Sequence, residues 1–165
     1  MSPAATVLIV VTCAAAVFDV RTRRIPNALT GFAAVAALAV HLPAGPAAVL
    51  ISLGAMVAAF LAGSLAFSAG WFGGGDVKLL AACCGLVSLP GALPLALDVL
   101  VAGALLAVAT ALARGRLIAL VRSTAAVAAH GAPTEAAPLP YAIAIALGSI
   151  AYTLSSVVPS LRLPA

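Results

Sequence analysis

From one end of the chain to the other, uncharged apolar runs alternate with short breaks containing arginine, proline or glycine. A helix needs about 20 apolar residues to cross a bilayer, and most of these runs come close to that length. Inside hydrocarbon every backbone N–H and C=O must find a partner, so such a run crosses as a helix or as part of a closed barrel. Barrel strands alternate apolar and polar residues, and no such alternation is present. The expected fold is therefore all-α, a polytopic membrane protein with about six transmembrane helices. The spans are read at roughly 2 to 18, 27 to 42, 46 to 69, 77 to 93, 95 to 113 and 138 to 158.

Of 165 residues, 65% are hydrophobic and 7% charged, against about 25% charged in soluble domains. So much chain committed to spans leaves no room for a separate soluble domain, and residues 1–165 are read as one membrane domain. The net charge of +4 comes from eight basic residues lying in the breaks. No basic face of the kind that binds nucleic acid is formed. Cys13, Cys83 and Cys84 lie in apolar runs without CxxC or Cys/His spacing, so neither a metal site nor a disulfide framework is expected and the three are read as packing residues. The first run has no positive segment before it, so it is read as a retained span rather than a cleaved signal peptide, and lipidation is not expected.

Alternating the spans puts the breaks at 19 to 26, 70 to 76 and 114 to 137 on one side. With Lys78 just inside the following helix, they hold seven of the eight basic residues. The positive-inside rule makes that side cytoplasmic and puts both termini outside. Arg114, Arg116 and Arg122 flank LIAL, which fits either a short interfacial helix or a solvated linker.

The same alternation brings two of the four carboxylates to one face: Asp19 at the end of the first span and Asp76 at the start of the fourth. Asp98 falls toward the opposite side, and Glu135 lies in an alanine- and proline-rich loop. Acids at membrane depth are costly and mark function by default. The plainer alternatives are a headgroup-level ion pair of Asp19 with Arg21 or Arg23, and a helix cap by Asp76. Against simple capping stands the triplet Gly73, Gly74 and Gly75, which permits positive φ and close approach of a substrate backbone. Two carboxyls holding one proton between them perform aspartic proteolysis: one activates water, the other polarises the scissile carbonyl and protonates the leaving amine. Asp76, at a helix N-terminus near Lys78, is expected to favour the charged form, and Asp19, at a helix C-terminus, the neutral one.

Two extended blocks carry a family resemblance. GGGDVKLLAACCGL (73–86) is similar to the GxGDxKLLAALGA block of type IV prepilin peptidases, and FDVRTRRIPNALT (18–30) resembles their IDxRTxxLPDxLT segment. LPYAIAIALG (139–148) is similar to the late PYG-type segment, with Ala142 where the family often has glycine. The resemblance implies a membrane endopeptidase of the cytoplasmic (inner) membrane that removes the short basic leader of prepilins or pseudopilins. Asp19 and Asp76 are then the catalytic pair. Lys78, Arg21, Pro26 and Asn27 match motif positions for which a structural role is as good a reading, Pro26 suiting a helix's first turn. No CxxC motif or long N-terminal loop is present, so the form implied is the short peptidase-only one of Tad (Flp) pili, without methyltransferase domain, zinc or other cofactor. Its partners are a substrate with a hydrophobic helix and the bilayer. Archaeal preflagellin peptidases share the chemistry. Readings from other classes are a proton-coupled transporter component and a non-catalytic membrane subunit of a pilus or secretion assembly.

Overall fold

A computed structural model describes residues 2–115 and 141–157, and all its regular structure is helical. Helix α1 spans Pro3–Thr22. Ser2 caps it, its Oγ accepting from the Ala5 amide at 3.2 Å, and Pro3 fills the first turn where no N–H is needed. Helix α2 spans Asn27–Ala39 and is followed by a single 3-10 turn, Leu42–Ala44. Gly45, at φ +93°, makes the left-handed step into α3, Pro46–Ser68. Helix α4 covers Gly74–Ala113, and α5 covers Tyr141–Val157.

The 40-residue α4 is not straight, because Ser88 takes φ 63° and ψ 179° inside it. Beyond Ser88 the chain doubles back along α5: Gly91 lies against Tyr152, Val99 against Gly148, and Gly103 against Tyr141. Such a reversal strips backbone carbonyls of their helical donors, and Pro90 supplies none to Leu86. Side chains take over. Ser52 Oγ donates to the Gly85 carbonyl at 2.8 Å, and His41 Nε2 lies 3.2 Å from the carbonyl oxygens of both Gly85 and Leu86. This is how a broken helix is tolerated at membrane depth.

The outer surface is apolar. Val10, Phe32, Val35, Leu65 and Leu105 are exposed, while much of the core is small: Ala15, Ala33, Ala37, Ala82 and Ala142, with Leu8, Leu79, Leu86 and Ile145 among them. Small residues let helix backbones meet closely, which is how helices associate when the solvent is itself hydrocarbon. At Gly148 an added Cβ would stand 2.5 Å from the Val99 Cα, so only glycine fits that crossing. Cys83 and Cys84 are buried as packing residues, whereas Cys13 is exposed on the outer face of α1.

Among the described residues four helices are long and apolar enough to cross a membrane, which makes this a multi-pass membrane protein. That is fewer than the six spans expected from the sequence. Expected spans four and five fall within Gly74–Ala113 as two helical arms that meet at Ser88, and the stretch LPGALP, read as a turn, instead puts Pro90 and Pro94 within helix. The last helix is 17 residues long. The first is longer than expected and contains Asp19, because α1 runs on to Thr22 before Arg23 ends it at φ 54°. Arg114 caps α4. Arg116, Arg122 and Glu135, and with them the interfacial-helix reading, lie outside the described residues.

Candidate active site

Asp19 sits one turn from the C-terminus of α1 with its side chain turned into the bundle, only 9% exposed. The amide of Ala142, the second residue of α5, donates to Asp19 Oδ2 at 3.3 Å. At that end of α5 the first-turn amides have no helical acceptor, so the carboxylate and the helix terminus satisfy each other. Ala142 is fully buried, which explains why a small residue stands there.

Asp76 is the third residue of α4, not its cap; Gly73 holds the cap position with φ −76° and ψ 148°. The Asp76 carboxylate accepts a hydrogen bond from the Gly73 amide, half of a capping box. It also lies within electrostatic reach of Asp19 and of Tyr141. Tyr141 is held by an edge-to-face contact with Phe72, ring centroids 4.6 Å apart. Phe72 and Tyr141 thus join the chain just before α4 to the start of α5, and both carboxyls lie beside that junction.

The positive φ expected of the glycine triplet is absent. None of the three has positive φ; in that part of the chain Gly70 does, at 76°. Gly74 and Gly75 are the first two residues of α4 rather than a loop. What the triplet provides is room. A Cβ on Gly73 would stand 2.7 Å from Asp76 Oδ2, and one on Gly75 would stand 3.2 Å from the Ile25 Cβ. On Gly74 it would meet only the Phe67 ring at 3.7 Å.

Both aspartates line one cavity of about 260 Å³, together with Arg23, Arg24, Ile25, Asn27 and Gly75. The positive φ of Arg23 turns the chain so that the loop from 23 to 26 closes one wall. Lys78 does not serve Asp76. It is two residues further along a helix, hence on another side of it, and its Nζ donates to Asn27 Oδ1 at 3.0 Å. Pro26 is the cap residue of α2 rather than a first-turn residue, its carbonyl accepting from the amides of Leu29 and Thr30. Arg21 is exposed in the last turn of α1 and is not part of the cavity lining. Asp98 is half-buried beside Val99, which packs on Gly148, two helical turns along α5 from Tyr141.

The backbone donor at Ala142 and the Phe72–Tyr141 clasp were missed by residue-by-residue reading. The signal that pointed at them was the late LPYAIAIALG stretch, whose purpose only the packing of α5 on α1 reveals.

Comparison with known proteins gives one clear finding: the model of the type IV leader peptidase family matches residues 6–112, which include both aspartates. No curated protein and no solved structure matches the chain. A match over this much of the sequence, on a helical membrane scaffold, places the chain in the type IV leader peptidase family.

Proposed function

We propose that this membrane peptidase is an aspartic endopeptidase that removes the short basic leader of a prepilin or pseudopilin, with Asp19 and Asp76 as its catalytic pair. The observation that carries the proposal is the cavity into which both carboxyls project. Two acids so placed hold one proton between them. The ionised member takes a proton from water, whose oxygen adds to the scissile carbonyl. The protonated member donates to the carbonyl oxygen and, as the C–N bond breaks, a proton passes to the leaving amine. The products are a free leader carboxylate and a new amino terminus, and the pair again holds one proton.

In this reading residues 1–165 form a single membrane domain, and the two arms of α4 on either side of Ser88 count as separate crossings, with α5 as the sixth. The side carrying Arg21, Arg23, Arg24 and Lys78 faces the cytoplasm of a prokaryote, and both termini lie outside. A site at that face suits a substrate anchored by one apolar helix whose basic leader stays inside by the same rule. The short, peptidase-only form serving Tad-type pili is the subtype proposed.

A non-catalytic membrane subunit is the second reading, favoured by the bond from the Gly73 amide to Asp76, which a purely structural cap would also make. The test is to reconstitute the protein with prepilin-type substrates and sequence the amino terminus of any shortened product. Cleavage after a glycine at the edge of the apolar helix is expected. Intact substrate from every pilin class, with the protein folded, would favour the subunit reading.

A further inference from the structure

A second cavity, of about 400 Å³, opens between α2, α3 and α4. Its walls are Gly31 and Ala34 of α2, Met56, Val57 and Phe60 of α3, and Ala81 of α4. At one end stand Asn27 and Lys78, joined by their 3.0 Å hydrogen bond. It exists because α2 packs chiefly on α4 and only slightly on α3, leaving the α2–α3 seam unfilled. Asn27 lines this groove and the aspartate cavity alike, so the two are neighbours at that residue.

At Gly31 the groove stands open, as the helix surface does at Gly54. A Cβ built there meets nothing within 4 Å, in contrast to Gly63, Gly85, Gly91, Gly103 and Gly148, whose missing side chains make way for the protein's own helices. From Asn27 to Ala34 the groove follows about two turns of α2, near 10 Å of helix. Apart from Thr30 its body is apolar, its floor is small at Gly31, Ala34 and Ala81, and its polar end lies at Asn27, which also borders the cavity of the two acids. An apolar helix fits such a seat through close backbone approach.

We infer that this groove holds the first turns of the substrate's apolar helix, and that the chain N-terminal to that helix crosses at Asn27 into the aspartate cavity. The inference rests on the peptidase reading above and adds where the substrate binds. Seating the helix fixes how far the scissile bond stands from the bilayer. The cut then falls at a set distance from the helix start, whatever the leader's length.

The test uses the full chain carrying Asp76→Asn, with the photoreactive residue p-benzoylphenylalanine at position 31 or, as control, at position 54. A Cβ at Gly54 likewise meets nothing within 4 Å, but Gly54 is not part of the groove. The probe is a peptide with a basic leader, a glycine and an apolar helix of about 20 residues. Irradiation in liposomes is expected to join the probe to position 31 and not to position 54. Adducts at 31 with lipid only, adducts with a second copy of the protein, or equal probe labelling at both positions would overturn the inference. In the otherwise wild-type chain, Gly31→Leu is expected to raise KM for the probe at least tenfold with kcat changed by less than threefold; a fall in kcat at unchanged KM would overturn it. If the wild type does not cleave the probe, that counts against the peptidase reading, and the labelling pattern still decides the groove.

Discussion

The Ala142 amide reaches the Asp19 carboxylate at 3.3 Å across 123 positions of sequence. This contact ties the start of α5 to the end of α1 and holds Asp19 facing Asp76. Enlarging residue 142 therefore disturbs the site through packing. Ala142→Val is expected to cost about 1–3 kcal/mol in stability, the usual range for overpacking a filled interior. Cleavage by the folded fraction is expected to fall at least about tenfold, or 1.4 kcal/mol. Ala142→Gly keeps the amide and the space, so it should retain most of the activity. Initial rates paired with thermal unfolding in detergent check both.

The three glycines before Asp76 are expected to differ in a fixed order. Gly73→Ala puts a Cβ 2.7 Å from Asp76 Oδ2, and because φ −76° suits alanine the chain folds normally while the carboxylate is displaced. Cleavage should fall about tenfold or more. Gly75→Ala presses on Ile25 at 3.2 Å and should fall between, with Gly75→Val worse. Gly74→Ala meets an ordinary contact at 3.7 Å and should stabilise α4 by roughly 0.5–1 kcal/mol, since alanine is the better helix former. Equal losses at all three positions would contradict the assignment of steric room as their purpose.

At the break in α4, Ser52→Ala removes the 2.8 Å donor to the Gly85 carbonyl and leaves His41 as its side-chain partner. A stability loss of about 0.5–1.5 kcal/mol is expected for losing one of two such bonds. Adding His41→Ala should cost more than the sum of the single changes, because only then is the carbonyl left without either donor. Thermal unfolding of the two single variants and the double variant measures this. Unfolding temperatures that do not move would show that the reversal needs neither side chain.

Much of this architecture was legible because hydropathy and charge act on whole segments. The apolar runs announce a helical membrane protein, and the parity of the breaks brings Asp19 and Asp76 to one end, where both line one cavity. What escaped were effects of single residues. A reversal made by Ser88 alone leaves no mark in an average over 19 positions, whereas the nearby prolines do, so the turn was sought at LPGALP. Sequence distance puts Lys78 near Asp76, but two positions on a helix lie far apart around its axis, and its partner is Asn27. The positive φ that three glycines allow is not used, and what Gly73 and Gly75 show instead is closeness to Asp76 and Ile25. The Ala142 donor is a backbone group, which no side-chain pattern encodes.

The central claim is that Asp19 and Asp76 act together on the scissile bond, and single-turnover cleavage of a reconstituted prepilin by Asp19→Asn and Asp76→Asn tests it most directly. Asparagine keeps the shape of the side chain and abolishes its acid–base function, so each variant is expected to insert and unfold like the wild type while losing at least about a hundredfold in rate. Cleavage near the wild-type rate by either folded variant would contradict the two-aspartate account.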